Sequence, residues 1–158
     1  MRLPLDTFLE VVRHTPLISI DLVVRDAAGT ILVGLRNNRP AQDCWFVPGG
    51  RICKDERIAD AIRRIAEEEL GTVVTLDDAT PLGVFEPLYP DNAGGQEGFG
   101  THYIVLAYSV SVEVSALKLD RAQHREYRWR TATELLVDDT VHANTKAYFE
   151  SSPSLSRR

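Results

Sequence analysis

Cysteine is scarce in this sequence: Cys44 and Cys53 are the only two in 158 residues. Two cysteines are too few for a disulfide framework, and their spacing is not that of a metal-binding pair, so we expect free thiols. Long apolar runs are missing too, which argues against a membrane span. Pro4, Asp6 and Glu10 interrupt the N-terminal stretch, unlike the apolar centre of a signal peptide. The sequence therefore predicts a cytoplasmic protein with no membrane partner.

An excess of positive charge is the third absence. The chain has 18 lysines and arginines against 23 aspartates and glutamates, a net charge of −5. Proteins that bind nucleic acid usually carry a basic surface, so we predict no nucleic-acid partner. Any phosphate of a substrate must then be bound by individual arginines or a metal ion. The length fits a single domain, which we expect at residues 1–150, followed by a disordered serine-rich tail at residues 151–158.

Helical spacing is clearest after Gly50, where a set of apolar residues falls on one face of a helix: Ile58, Ala61, Ile62, Ile65 and Ala66. Three consecutive glutamates end this helix before Gly71, although a helix C-terminus disfavours negative charge. By helical geometry Glu69 shares the apolar arc, Glu68 lies at its edge and Glu67 points away. An inward carboxylate needs a partner, and clustered oxygen ligands suit magnesium or manganese. The alternative is a solvated acidic helix end.

The remaining elements follow from alternation, β-branched content and turn residues. We expect strands at residues 17–25, 30–35, 73–76, 80–85, 101–112 and 127–130, and further helices at residues 5–12 and 140–149. The glycine-rich stretch at residues 87–100 is long enough to suggest a loop that covers a substrate.

Several polar residues are candidates for a site, each with a plainer alternative. Arg36, Arg39 and Arg51 flank a segment rich in proline and glycine and suit bidentate contact with phosphate, or are ordinary surface arginines. His124 can act as a general base and its neighbour Gln123 can offer an amide oxygen to a hard cation. On spacing alone, an exposed loop histidine is the stronger interpretation.

Three more candidates depend on their position in an element. Asp21 is an acid inside an otherwise apolar strand; its alternation with Ile20 and Leu22 permits it to face solvent, but the sequence alone does not decide between that and a place in a site. Tyr103 near a strand start would bind a ligand or be a half-buried core residue, and Phe8 is most simply a core or dimer contact. The glycines at 49 and 50 let backbone approach a ligand, so that a carbonyl can reach a metal.

The glycine–helix stretch resembles the Nudix box, G-x5-E-x7-R-E-U-x-E-E-x-G-U. The residues in register are Gly50, Glu56, Arg64, Glu68, Glu69 and Gly71. Ile65 stands where the box has its first helical glutamate, Ala66 is small for an aliphatic, and Thr72 replaces the last aliphatic. The resemblance implies an α/β fold, the Nudix α/β/α sandwich with a mixed β-sheet between helices, and a hydrolase.

Within that superfamily, the chain up to about Phe149 resembles the GDP-mannose mannosyl hydrolases. The resemblance is carried by TPL at 15–17, RNNRPAQ at 36–42, WFVPGGR at 45–51, THY at 101–103, QH at 123–124, YRW at 127–129 and VHANTKAYF at 141–149. It implies magnesium-dependent hydrolysis of GDP-mannose or GDP-glucose, in which water attacks the sugar C1 with inversion and GDP leaves.

The same resemblance implies roles for individual residues. The Gly49 carbonyl, Glu69 and Gln123 would bind one Mg²⁺, for which Mn²⁺ would substitute, and His124 would be the general base. The leaving diphosphate would be surrounded by Arg36, Arg51 and Tyr103. Asp21 would lie toward the sugar and Phe8 near the nucleotide, across a homodimer.

Two departures keep other functions open. Glu68 retains a carboxylate that this branch has lost, and the segment at residues 85–89 differs from the branch. A Nudix pyrophosphatase that cleaves a P–O bond, with both Glu68 and Glu69 on metal, is one alternative. A non-catalytic nucleotide-sugar sensor is the other.

Overall fold

A computed structural model describes residues 3–121 and 124–150 of the chain. Its helices are α1 (Leu5–His14), α2 (Ile58–Leu70), α3 (Ala132–Val137) and α4 (Ala143–Lys146). Its strands are β1 (Leu17–Arg25), β2 (Ile31–Arg36), β3 (Trp45–Phe46), β4 (Gly49–Arg51), β5 (Ala79–Phe85), β6 (Leu88–Tyr89), β7 (Thr101–Ser111) and β8 (His124–Arg130). Within the described residues, no helix is long and apolar enough to cross a membrane.

The sheet is mixed, with β1 at its centre. The strand order is β3-β2-β1-β7-β5, with β8 paired to β2, β4 to β1 and β6 to β7. Strands β1 and β7 are parallel along the whole of β1, from Leu17 opposite Tyr103 to Arg25 opposite Ser111, and the other strand pairs are antiparallel. Helices flank this sheet, as the predicted α/β fold requires.

Alternation along β1 divides the molecule into two sides. Ile20, Leu22 and Val24 are buried in the core under α2, because successive strand residues point to opposite faces. The other face carries Asp21, which borders a large cavity, and Val23, which packs into a second core with Leu135 of α3. The sequence left the side taken by Asp21 open, and in the structure Asp21 borders the cavity.

Helix α2 is anchored by the face that the sequence predicts. Ile62 and Ile65 are buried, and full burial of a side chain of this size stabilises a fold by about 1.5–3 kcal/mol. Gly71 ends the helix in the left-handed conformation with φ 63°, as glycine commonly does. Ile58 differs from the prediction because it is 39% exposed at the first turn.

Two predicted elements are wrong. Residues 73–76 form no strand, because Thr75 and Asp78 make a reciprocal capping box around a short 3₁₀ helix at Leu76–Asp78. The single helix expected at residues 140–149 is replaced by the four-residue α4, and the longer α3 precedes it. Thr131 caps the N-terminus of α3, because its side chain accepts a hydrogen bond from the Glu134 N–H. The predicted tail at residues 151–158 lies outside the described residues.

An ion pair fixes the segment before α2 to the helix. Arg64 donates to both carboxylate oxygens of Glu56, at 2.7 and 2.9 Å, and to the Arg51 carbonyl at 2.8 Å. The Cys53 N–H also donates to Glu56 at 2.8 Å. Hydrogen bonding by Arg64 holds the pKa of Glu56 below its ordinary value. The glycine turn and the helix are thus one rigid unit.

We predict that Glu56→Gln lowers the free energy of unfolding at pH 7 by about 1–2 kcal/mol, since it removes a charged, mostly buried hydrogen-bond partner of Arg64. A carboxyl whose folded-state pKa is depressed stabilises the fold above its unfolded pKa, about 4.3, and this stabilisation is lost as the pH falls through the folded pKa. Urea unfolding between pH 3 and pH 7 should therefore show wild type and variant converging in acid. Exposed Glu67→Gln on the same helix is the control; an equal loss there would contradict the prediction.

Candidate active site

A cavity of about 1550 Å³ opens between β1, β4, the C-terminal end of α2, the start of β8 and the segment around α4. Every predicted site residue that the structure describes borders it, although these residues are spread over most of the sequence. Gln123, predicted as a metal ligand, lies outside the described residues. The cavity is large enough for a nucleotide-sized ligand.

Gly49 lies beside Asp21 where β4 pairs with β1. The Leu22 N–H donates to the Pro48 carbonyl and the Ile52 N–H to the Ile18 carbonyl, so the intervening Asp21–Gly49 pair is not hydrogen-bonded. The Gly49 carbonyl consequently points away from β1 and is available for a ligand on the open side of β4. A Cβ on residue 49 would collide with Asp21 Oδ1, so only glycine fits there.

The three consecutive glutamates of α2 have different environments. Glu69 is 5% exposed, and its Oε2 lies 3.6 Å from His124 Nδ1. Glu68 accepts a hydrogen bond from Arg64 at 3.1 Å and its side chain is half exposed, while Glu67 is exposed. Only Glu69 is buried, as helical geometry predicts.

His124 is buried as the first residue of β8, so the exposed-loop interpretation is wrong. Its ring packs directly over Gly34 of β2, where a Cβ would lie 2.5 Å from His124 Cγ, and near Tyr127, with ring centroids 5.5 Å apart. Among the described residues, His124 Nδ1 has no hydrogen-bond partner. Burial and the charge of Arg36 lower its pKa to about 4, so the imidazole is neutral at pH 7.

Aromatic rings hold two of the predicted cations. The guanidinium carbon of Arg51 lies 4.0 Å from the centre of the Phe8 ring, and that of Arg36 lies 5.3 Å from the Phe46 ring. Burial raises the pKa of Tyr103, with Arg51 and Arg36 opposing the rise, so its hydroxyl remains a donor. Cation–π contact orients an arginine through its flat face, although Arg36 Nε also donates to the Asn38 carbonyl at 3.5 Å.

Arg39 has weaker contacts than Arg36 and Arg51. It borders the cavity, but its side chain is 54% exposed and its nearest acid is Asp91, at 4.0 Å. An exposed pair at this distance contributes little. The surface-arginine interpretation fits it best.

The glycine-rich loop at residues 87–100 is folded onto α1. The Asn92 side chain, fully buried, bonds the carbonyls of Gln96 and Phe99, while Arg13 of α1 lies over the Phe99 ring at 4.3 Å. Ala93 and Gly94 border the cavity. The loop therefore forms part of the cavity wall, and its role in covering a substrate stays a prediction.

Sequence reasoning did not assign a role to Tyr148. Its hydroxyl donates to Asp21 Oδ2 at 2.5 Å, from the turn that follows α4. Burial raises the pKa of Asp21 to about 6, although Tyr148 and the charge of Arg36 both act to lower it. The segment VHANTKAYF contains Tyr148, but nothing local to that segment indicates a bond to β1.

Oxygen atoms of two residues in the cavity wall are candidate ligands for a divalent cation. The described residues contain no group of three or more His, Cys, Asp or Glu side chains that would hold a metal ion. What they offer is the buried carboxylate of Glu69 and the outward carbonyl of Gly49, both oxygen donors. Mg²⁺ usually takes few protein oxygens and completes its shell with water and phosphate, so this donor set fits it.

Comparisons with known proteins agree with this architecture. The sequence model of the NUDIX domain matches residues 15–151. The chain is 40% identical over 128 residues to the low-salt glycan biosynthesis protein Agl8 of Haloferax volcanii, covering 80% of this chain and 78% of that protein. Its fold is similar to the MutT protein of Methanosarcina mazei Go1, with TM-score 0.69, 23% identity and 86% and 92% of the two chains covered.

A further structural relative is the NUDIX domain of Shewanella oneidensis NrtR, solved in complex with ADP ribose. It has TM-score 0.61 at 17% identity, with 92% of this chain and 95% of that chain covered. The chain belongs to the Nudix family, and it is a Nudix hydrolase. Nudix hydrolases generally use a divalent metal such as Mg²⁺.

We predict that Glu69→Gln weakens Mn²⁺ binding at least about 10-fold, because a buried, charged oxygen ligand is lost. Glu68→Gln should change the affinity less than about 3-fold, since Arg64 already engages that carboxylate. Titration of Mn²⁺ followed by electron paramagnetic resonance measures both, with Glu67→Gln as the control on the same helix. Equal losses at positions 68 and 69 would show that both bind metal.

Proposed function

We propose that this protein hydrolyses GDP-mannose or GDP-glucose to GDP and the free sugar, by attack of water on the sugar C1 with inversion. The observation that carries the proposal is the pairing of one buried carboxylate, Glu69, with one buried histidine, His124, across 3.6 Å. Ile65 occupies the box position of a further glutamate, and Glu68 is bonded to Arg64. This set suits a single metal and a separate base.

The proposed leaving group, a diphosphate, would need the positive charge that arginines and a metal ion provide. A diphosphate leaves readily once its charge is offset, so no acid is needed to protonate it. Arg36 and Arg51 border the cavity with their guanidinium groups held against aromatic rings, and Tyr103 of β7 borders the same cavity. Mg²⁺ held by Glu69 and Gly49, with Gln123 as a predicted third ligand, would supply further positive charge to the diphosphate.

The neutral imidazole of His124 would accept the proton from the attacking water. Because the imidazole is neutral at pH 7, it can accept a proton. Its lowered pKa also makes it a weaker base than an ordinary histidine. A bound diphosphate would oppose the effect of Arg36 and make the imidazole more basic. Asp21 would lie toward the sugar, as the resemblance implies, and its carboxylate borders the same cavity.

The similarity to a Haloferax volcanii protein that is named for glycan biosynthesis supports the proposal that the substrate contains a sugar. Phe8 would contact the nucleotide; in the described chain its ring already covers Arg51. The homodimer and the single domain at residues 1–150 stay predictions.

Glu68 favours a second candidate, a pyrophosphatase that cleaves a P–O bond. Its carboxylate borders the cavity and is half exposed, so release from Arg64 would bring it to a second metal. The third candidate is a non-catalytic nucleotide-sugar sensor, which would use the same cavity for binding alone.

We predict turnover of GDP-mannose with Mg²⁺, and ¹⁸O from labelled water in the free sugar rather than in a phosphate. A panel of GDP-, UDP- and ADP-linked sugars, with dinucleotides, would define the substrate, and mass spectrometry would locate the label. Label in a phosphate product would favour the pyrophosphatase. Binding of GDP-mannose without any product over hours would favour the sensor.

We predict that His124→Gln lowers kcat by about 10²–10⁴-fold, as loss of a general base usually does, with a small change in KM. Steady-state kinetics on the substrate found by the panel measures the effect. His14→Gln is the control, because His14 is an exposed residue of α1. A loss of kcat below about 10-fold would exclude His124 as the base.

A further inference from the structure

We propose that Tyr148 is a positioning residue, which holds the carboxylate of Asp21 in the orientation needed at the sugar during hydrolysis. This inference rests on the proposed function, because it assigns Asp21 to the sugar end of the cavity. The two residues are 127 positions apart and meet only in the folded chain.

The position of Tyr148 is itself restrained. Its backbone N–H donates to the carbonyl of Thr145, a fully buried residue in α4. Its ring meets Phe85 of β5 edge-to-face, with centroids 4.7 Å apart at 87°, and Phe149 at 6.4 Å. An aromatic ring packed on two others has little rotational freedom. The hydroxyl is therefore presented to Asp21 at a fixed point.

The two oxygens of Asp21 have different neighbours. Oδ2 accepts the hydrogen bond from Tyr148, whereas Oδ1 lies against the Cα of Gly49, where no side chain fits. Rotation of the carboxylate would break the first contact. The backbone around it is equally fixed, because Asp21 lies in the middle of β1 between β4 and β7.

Tyr148 is suited to act as a permanent donor. Burial and the nearby charge of Asp21 raise its pKa well above the ordinary value for tyrosine, so the hydroxyl keeps its proton throughout the working range of pH.

Orientation of this carboxylate should matter most in the transition state. Departure of the diphosphate leaves positive charge at the sugar C1 and ring oxygen, as in glycoside hydrolysis. A carboxylate directed at that charge stabilises the transition state more than the uncharged ground-state sugar, so its misplacement lowers kcat more than it raises KM. Small displacements of such groups cost up to about 100-fold.

The test is a double-mutant cycle of Tyr148→Phe and Asp21→Asn, assayed on GDP-mannose with Mg²⁺. Tyr148→Phe should lower kcat by roughly 10- to 100-fold, and leave KM and the inhibition constant of GDP within about 3-fold. In the Asp21→Asn background it should have almost no further effect, because Tyr148 acts through Asp21. Tyr108→Phe, which removes a hydroxyl on the opposite face of the sheet, is the control and should leave kcat unchanged.

Three outcomes would overturn the proposal. The first is that Tyr148→Phe leaves kcat unchanged. The second is that Tyr148→Phe lowers kcat equally in the wild type and in the Asp21→Asn variant, and the third is that it raises KM without changing kcat. The second outcome would mean that Tyr148 contacts the substrate directly. If the wild type does not hydrolyse GDP-mannose, that failure concerns the proposed function alone. The same cycle is then run on the substrate that the panel identifies, where the same outcomes decide the role of Tyr148.

Discussion

The candidate site depends on one stretch of backbone without side chains, the Gly49–Gly50 pair of β4. A Cβ on Gly50 would lie 3.1 Å from Ile65 Cγ1, and one on Gly49 would collide with Asp21. The backbone of β4 therefore packs closely against Ile65 of α2 on one side and Asp21 of β1 on the other. This closeness brings Glu69 of the helix and the carbonyl of Gly49 to the same wall, which larger residues would push apart.

The positively and negatively charged side chains of the cavity are held in place by different contacts. Cations are held at the surface of aromatic rings, as Arg51 is by Phe8, and so keep their donors exposed. The carboxylate of Glu69 is buried beside His124, and that of Asp21 accepts a hydrogen bond from Tyr148. A ligand with an anionic diphosphate and a neutral sugar matches this arrangement, because the first part needs free donors and the second needs few, well-placed acceptors.

The sequence predicted those elements whose structure is determined by residues close together in the chain. The strand at residues 17–25, the helix end at Gly71 and the inward position of Glu69 follow from alternation, a left-handed cap and helical angle. Residues 73–76 read as a strand because their β-branched content outweighed the capping pair that starts a 3₁₀ helix. The burial of His124 over Gly34 had no local signal, since it arises from pairing between distant strands. The bond between Asp21 and Tyr148 was hidden for the same reason.

The separation of Asp21 and Tyr148 also makes the pocket a product of the whole chain. Strand β1 lies near the start of the sequence, while its hydrogen-bond partner lies 127 residues later. Closing so long a loop costs conformational entropy, so we expect the C-terminal turn to dock on a sheet and an α2 that have already formed. A chain without this turn would keep the carboxylate of Asp21 but lose its Tyr148 donor.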